Sequence, residues 1–317
     1  MFIQLLINDI LIITQKLEMK AYAIGGSVRD LMLDSLYFKH NLGLTGKVTY
    51  INFPEKSKII LQELVKVSDK DLDLMLKGDA ILLGKKLEIK GYKIRFNHKF
   101  KTINILDFSV DVTTMRSEIY QKSGALPLVA KGTMETDLKR RDLTINAMAM
   151  SLNKESFGEI IDLYSGVSDL RNRVARVLYD QSFSDDPTRI FRVIRFSARF
   201  SLVFSNKTEQ LLKAAVMNKV YNNISKDRIL NEFKKIFSEE KKVIIKILHL
   251  LNEFSLLDII HHNIKINYQK FKENKILSCN WFVWFLLLME NLGKDDVEKV
   301  VGKFNFSRKE IKLLLNR

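Results

Sequence analysis

The chain has 317 residues, of which 46% are hydrophobic, so its length predicts about two domains with enough apolar residues to form cores. A formal net charge of +15 favours a polyanionic partner, although a basic surface kept for solubility has the same composition. One cysteine excludes an internal disulfide, and the five histidines lack the spacing of a zinc site. The first residues lack signal-peptide features and the apolar runs are too short for a membrane span. We therefore expect a cytoplasmic protein that has no membrane partner.

The first segment predicts a helix, a strand and a second helix in succession. Apolar positions at helical spacing predict a helix over residues 2–18, and residues 21–24 predict a short strand. Gly25 and Gly26 follow, and Arg29 lies in the first turn of the next predicted helix. Glycines let the backbone approach an anion, and N–H groups at a helix start point toward it. The pattern suits a phosphate cradle, while an ordinary strand–turn–helix connection remains the alternative.

Two acids lie one residue apart in the apolar run over residues 70–76. Side chains alternate along a strand, so Asp71 and Asp73 project from one face and the three leucines of the run from the other. Two carboxylates on an apolar strand need a counter-ion, which a divalent metal with oxygen ligands supplies. We predict that Asp71 and Asp73 hold metal ions for a phosphoryl displacement. A half-exposed strand or the end of a turn is the alternative.

The next elements lead to another candidate acid. The pattern predicts a helix over 58–67, a helix over 79–89, and strands over 92–97 and 101–112. In the last strand Asp111 lies on the face opposite Val110 and Val112. It is a candidate third carboxylate beside the acid pair, or else a solvated residue or a partner of Arg116.

A basic pair meets an acid at Arg140-Arg141-Asp142, just before an apolar segment. Arg141 suits phosphate or sugar oxygens, and Asp142 suits the hydroxyl donors of a ribose. Such an acceptor favours ribonucleotides, because deoxyribose lacks the 2′-hydroxyl donor. The alternative is a solvated helix face.

From Pro187 onward the pattern is helical, apart from breaks over 202–207 and 262–268, so we place the first domain boundary near residue 151. Proline is favoured in a first helical turn, and this predicts Asp186 as the N-cap residue. Arginines recur every three residues from there, at Arg189, Arg192 and Arg195. They form either a solvated basic face or part of a recognition site.

A carboxylate one helical turn from a guanidinium offers an acceptor beside a planar donor fork. Cytosine and adenine present amino donors where uracil and guanine present carbonyl acceptors. Asp186 and Arg189 could therefore accept C and A and reject U and G without a nucleic-acid template.

Taken together and in this order, these motifs resemble the class II tRNA nucleotidyltransferase and poly(A) polymerase family. The resemblance covers about residues 1–235 and rests on Gly25-Gly26-Ser27-Val28-Arg29-Asp30, Asp71-Leu72-Asp73, Arg140-Arg141-Asp142 with Thr144-Ile145-Asn146-Ala147, Asp162…Gly166…Asp169, and Asp185-Asp186-Pro187-Thr188-Arg189. The segment Gly124-Ala125-Leu126-Pro127 resembles the branch that contains CCA-adding, CC-adding and A-adding enzymes.

The resemblance implies an α/β nucleotidyltransferase head with a mixed sheet, followed by all-α neck and body domains. The expected ranges are 1–151 for the head with an insertion at about 34–69, 152–235 for the neck, and 236–317 for a short body. The implied roles are Asp71 and Asp73 as catalytic ligands of Mg²⁺, Gly25, Gly26 and Arg29 at the triphosphate, Arg141 and Asp142 at the sugar, Asp186 and Arg189 at the base, and Arg192 and Arg195 supporting the phosphates or the helix.

The implied activity is addition of CMP and/or AMP from CTP or ATP to the 3′ end of tRNA. Two alternatives stay open. One is a poly(A) polymerase that acts on general RNA 3′ ends, and the other is a non-catalytic RNA-binding member of the family. The sequence leaves the oligomeric state open.

Overall fold

The computed structural model describes residues 2–33, 72–273 and 280–316. The predicted helix over 58–67, the insertion at about 34–69 and Asp71 lie outside the described residues. The chain forms two compact units, and the short segment Tyr120–Leu126 belongs to the second. The units are Met1–Ile119 with Pro127–Tyr179, and Tyr120–Leu126 with Asp180–Arg317.

The first unit is built on a mixed β-sheet. The strands of this unit, seven of which form the sheet, are β1 (Lys20–Ile24), β2 (Leu72–Lys77), β3 (Ile94–Asn97), β4 (Thr102–Ile105), β5 (Val110–Thr114), β6 (Arg116–Ile119), β7 (Leu128–Lys131), β8 (Met148–Ser151), β9 (Ile160–Asp162) and β10 (Val174–Ala175). The sheet has the order β3-β4-β5-β2-β1-β8-β9, and β6 and β7 form a hairpin of their own. Among the described strands of this sheet, β2 and β5 run parallel and the other neighbours antiparallel, which confirms the predicted mixed sheet.

Helices of the first unit accompany this sheet. They are α1 (Phe2–Lys16), α2 (Gly26–Leu33), α3 (Ala80–Ile89), α4 (Met134–Lys139) and α5 (Gly166–Arg171). The three leucines of β2 are buried on one face, as alternation predicts. On the other face, Met75 packs in a buried cluster with Ile24 and Leu138. Both faces of β2 are therefore covered, and Asp73 is a half-buried polar residue in an apolar strand.

The predicted strand over 101–112 is wrong, because the chain reverses within it. β4 ends at Ile105 and β5 begins at Val110, and these two residues face each other in an antiparallel pair. Ser109 has φ +49°, a left-handed conformation suited to a turn. Phe108 interrupts the polar signal of this turn, and this is why the sequence pattern reads as one continuous strand.

The first unit extends beyond the boundary expected near residue 151. Ser151 ends β8, but the next strand, β9, pairs with β8 and adds an edge to the same sheet. The unit ends at Tyr179. β9 has only three residues, too few to show a strand period in the sequence. The division of the following helices into neck and body stays a prediction.

The Asp162…Gly166…Asp169 motif stabilises the connection from β9 to α5. The Asp162 carboxylate accepts hydrogen bonds from the backbone N–H groups of Gly166 at 2.8 Å and Val167 at 2.9 Å. Asp169 accepts one from the Thr144 hydroxyl at 2.7 Å. Buried carboxylates that satisfy backbone donors lower the energy of a turn that would otherwise leave those donors unpaired.

The second unit is helical, as the pattern from Pro187 onward predicts. Its elements are α6 (Ser182–Asp185), α7 (Thr188–Phe200), β11 (Val203–Phe204), α8 (Asn206–Met217), α9 (Lys226–Ile236), α10 (Lys241–Glu253), α11 (Tyr268–Glu273), α12 (Trp281–Leu288), α13 (Lys294–Lys303) and α14 (Arg308–Leu315). Buried aromatic rings from three of these helices meet in its core, where Phe191, Phe233 and Phe285 are fully covered. Within the described ranges, the helices are too short or too polar to cross a membrane.

We expect Asp162→Ala to lower the free energy of unfolding by about 3 kcal/mol, because it leaves buried backbone donors without a charged acceptor. Urea unfolding measures the change. Glu155→Ala is the matched control, since it removes an exposed acid from the same unit. Equal stabilities of the two variants would contradict the assigned role of Asp162.

Candidate active site

The turn between β1 and α2 brings three predicted site residues together. Gly25 has φ +70°, and a Cβ atom added there would lie 3.0 Å from Nη1 of Arg141 and 3.7 Å from Oδ2 of Asp73. The missing side chain allows the guanidinium to approach the backbone this closely, and the carboxylate lies at an ordinary van der Waals distance from the same position. Gly25, Asp73 and Arg141, which are far apart in the sequence, therefore share one place in the fold.

Two acids lie side by side on neighbouring strands. Asp73 of β2 is the direct partner of Asp111 in the parallel strand β5, so both side chains project from the same face of the sheet. Asp111 is exposed and accepts a hydrogen bond from Nδ2 of Asn104 at 2.5 Å. Arg116 bonds Glu118 instead, so the alternative in which Asp111 pairs with Arg116 is wrong. Within the described ranges, His, Cys, Asp and Glu side chains do not converge in groups of three or more.

Arg29 is linked to the Arg141-Asp142 motif through a residue that the sequence reasoning did not single out. Arg29 is only 4% exposed, and its Nη1 donates to Oδ1 of Asn146 at 2.6 Å. Asn146 in turn donates to Oδ1 of Asp142 at 2.9 Å. Asp142 is buried, so the alternative of a solvated helix face is wrong for it. The only sequence signal for Asn146 was its place in the matched motif.

The guanidinium of Arg141 has an unused donor. Its Nη2 donates to Oδ1 of Asp137 and its Nη1 to the carbonyl oxygen of Asn146, both at 3.4 Å. Its Nε is buried and finds no acceptor among the described residues. Burial lowers the pKa of Arg141, while the negative charges of Asp137 and Asp73 oppose that shift. A buried cation with an unused N–H beside the Gly25 turn suits an anionic ligand.

Asp137 holds this cation in place. It is fully buried in α4, and both of its oxygens accept from Nη2 of Arg140 at 3.1 Å. Glu118 accepts from Arg140 and Arg116, so the network extends to the β6–β7 hairpin. The sequence signal for Asp137 was its spacing of three and four residues from the two arginines, which places them on one helix face.

In the second unit, Asp186 caps the start of α7 from one residue earlier than predicted. Pro187 occupies the N-cap position, and α7 begins at Thr188. Oδ1 of Asp186 accepts from the backbone N–H of Thr188 at 3.1 Å and from its hydroxyl at 2.7 Å. It also accepts from Nη2 of Arg228 in α9 at 2.7 Å, and no sequence motif singled out this arginine.

The arginines of α7 are not a solvated face. Arg189 is 4% exposed, and its Nη1 donates to the hydroxyl and carbonyl oxygens of Ser182 at 3.1 and 3.3 Å. Arg195 donates to Glu239 at 3.4 Å, and its guanidinium lies 4.7 Å from the ring centre of Phe196. Arg192 faces a cavity of about 300 Å³. The residues that line this cavity are Asp186, Thr188, Arg192, Arg228, Asn231, Glu232 and Lys235.

Comparison with known proteins identifies the same family as the motifs. Residues 59–176 match the family described as the poly A polymerase head domain. The A-adding tRNA nucleotidyltransferase of Geobacter sulfurreducens is 33% identical over 81% of this chain and 26% of its own length. The A-adding tRNA nucleotidyltransferase of Halalkalibacterium halodurans is 32% identical over 78% of this chain and 50% of its own length. The chain thus spans between about a quarter and a half of the curated relatives it matches.

A solved structure gives the same result. A tRNA nucleotidyltransferase complexed with a primer tRNA and an incoming ATP analogue is 28% identical, with a TM-score of 0.69 over 97% of this chain and 84% of that one. The comparisons agree with the order of the motifs and with the mixed sheet of the first unit. Residues 59–176 therefore belong to the poly A polymerase head-domain family, and the chain is similar over most of its length to tRNA nucleotidyltransferases.

Proposed function

We propose that this protein adds CMP and/or AMP from CTP or ATP to the 3′ end of tRNA without a template. In this reaction the RNA 3′-hydroxyl attacks the α-phosphate and pyrophosphate leaves. The observation that carries the proposal is the meeting of the Gly25 turn, the Asp73 carboxylate and the buried guanidinium of Arg141. The A-adding relatives support the choice of tRNA as the acceptor.

The residues around the Gly25 turn suit a nucleoside triphosphate. We assign the triphosphate to the backbone of Gly25 and Gly26 and to Arg29, whose guanidinium is fixed by Asn146. Arg141 adds a second positive charge with an unused Nε–H, and Asp142 supplies a carboxylate for the ribose hydroxyls. The buried hydrogen bonds orient these groups before the ligand arrives, so that binding loses little side-chain conformational entropy.

The carboxylates on β2 and β5 suit a divalent metal. Asp73 would hold Mg²⁺ together with Asp71, its neighbour but one in the sequence, and Asp111 is the candidate third carboxylate from the adjacent strand. These are hard oxygen ligands of the kind that Mg²⁺ prefers. When bound, the metal supplies positive charge at the reacting phosphoryl oxygens.

We assign base recognition to Asp186 and Arg189. The Asp186 carboxylate lines the cavity of the second unit and offers an acceptor for the amino groups of cytosine and adenine. Arg189 is held by Ser182, and its bonds to two oxygens fix the plane of the donor fork. Arg192 at the cavity and Arg195 against Glu239 support the phosphates or the helix.

Incubation of the protein with Mg²⁺, one NTP at a time, and tRNA that ends before CCA, at C or at CC tests this function. We expect CMP and/or AMP to be incorporated and UMP and GMP to be rejected, because the Asp186 carboxylate accepts hydrogen bonds from the amino groups of cytosine and adenine. Long A-tails on unrelated RNA would instead favour the poly(A) polymerase alternative. No incorporation with any NTP would favour a binding-only member of the family.

We expect Asp73→Ala to lower the rate of incorporation by at least about 100-fold, since the loss of even an outer partner of a metal ligand costs 10–100-fold. Primer extension under single-turnover conditions measures the rate. Asp107→Ala is the matched control, because it removes an exposed acid of the same unit that lies 3.7 Å from Lys93. If both variants retain the wild-type rate, Asp73 is not a catalytic ligand.

We expect Gly25→Ala to lower kcat/KM for the nucleotide by about tenfold, because Arg141 must shift by a few tenths of an ångström and a displacement of ~1 Å at a positioned group costs about 100-fold. The new Cβ atom would displace Arg141. Gly91→Ala is the control for backbone strain, since Gly91 has φ +94° and no heavy atom near its added Cβ. Steady-state kinetics separate the two, and the same kcat/KM for both would show that the Gly25 turn does not hold the ligand.

A further inference from the structure

Arg228 of α9 bridges two segments of the second unit. Its Nη2 donates to Oδ1 of Asp186 at 2.7 Å, and its Nη1 donates to the carbonyl oxygen of Gly124 at 2.9 Å. Asp186 and Gly124 are 62 positions apart in the sequence, and they lie 42 and 104 positions from Arg228. In the fold both accept hydrogen bonds from one planar guanidinium. A planar fork fixes the direction of both bonds at once, which an ammonium group on a flexible stem does not do.

The bond from Arg228 determines which oxygen of Asp186 is left for a ligand. The backbone N–H and the hydroxyl of Thr188 donate to Oδ1, as does Arg228. Among the described residues, no donor reaches Oδ2. Three donors on one oxygen fix the rotation of the carboxylate, and Oδ2 then remains as the acceptor on a residue that lines the cavity.

Gly124 anchors the other end of the bridge. Its N–H donates to the carbonyl oxygen of Asp185 at 3.3 Å, so the segment Tyr120–Leu126 is bound to the residue before Asp186 as well as to Arg228. Gly124 has φ +73°, and a Cβ atom there would lie 2.4 Å from the carbonyl oxygen of Asn223. Only glycine allows this approach without a shift of the backbone.

We propose that Arg228 is a positioning residue for base selection, which orients the Asp186 carboxylate and ties it to the segment Tyr120–Leu126 through Gly124. The inference rests on the proposed function, in which Asp186 reads the base. An ion pair between side chains that are 29% and 22% exposed contributes little to stability by itself. The ion pair instead fixes the orientation of the Asp186 carboxylate. A rotated carboxylate would present its acceptor oxygen to the amino group of a base in a different direction.

The test measures kcat/KM for CTP, ATP, UTP and GTP with the wild-type protein and with the Arg228→Ala and Arg228→Lys variants. We expect Arg228→Ala to lower the preference for amino bases over carbonyl bases by about tenfold, which corresponds to ~1.4 kcal/mol. Arg228→Lys keeps the charge and gives up the fork, so we expect it to lower the preference as well. Asp186→Asn is the positive control, because it replaces an acceptor oxygen by an amino group.

The exposed Arg308 in the same unit provides the matched control, and Arg308→Ala should keep the wild-type preference. A purely structural role of Arg228 would lower kcat/KM for all four nucleotides by one common factor, and that result would overturn the inference. If the Arg228→Ala variant does not fold, the preference of the Arg228→Lys variant for amino bases over carbonyl bases tests the inference. If the wild-type protein prefers amino bases and the Arg228 variants keep that preference, only the role of Arg228 is refuted. If the wild-type protein incorporates no nucleotide, the proposed function is refuted and this inference with it.

Discussion

The organisation of the first unit depends on how one buried acid, Asp137, is neutralised. An ionised carboxylate that is fully removed from water must be paired and hydrogen-bonded, and Arg140 and Arg141 do this from the end of the same helix. The pairing holds Arg141 at the turn after β1, where Gly25 leaves room for it. The position of the guanidinium beside Asp73 thus follows from the need to neutralise an acid elsewhere in the core.

The second unit meets the same constraint with different residues. Arg189 is almost wholly buried, and its Nη1 donates to the hydroxyl and carbonyl oxygens of Ser182. Asp186 is satisfied through one oxygen by Thr188 and Arg228. In both units a charged group is held by protein partners that leave part of its hydrogen-bonding capacity unused. Such groups are oriented before a ligand arrives, as the proposed recognition of a small polar difference between bases requires.

Much of the fold could be predicted from local patterns, and most of the site's internal partners could not. Alternation predicted the burial of one face of β2, and the glycine pair predicted the start of α2. The bond from Arg29 to Asn146 spans 117 positions and that from Arg228 to Asp186 spans 42, and no local period encodes such pairs. The arginines of α7 read equally well as solvated until their partners, such as Glu239, are placed. The short strand β9 and the turn before β5 were missed because each is shorter than the window in which a period is visible.

The distribution of charge favours catalysis over simple RNA binding. A chain with a net charge of +15 attracts RNA phosphates, and a protein that only bound RNA would gain nothing from acids at its ligand site. Asp73 and Asp111 nevertheless lie side by side on neighbouring strands, and Asp73 is half-buried where a neutral residue would be less costly. The repulsion between these acids and the phosphates of a ligand is reduced when a divalent cation lies between them. The acids therefore make physical sense in a protein whose anionic ligand arrives with a divalent metal, and that is the ligand of a nucleotidyltransferase.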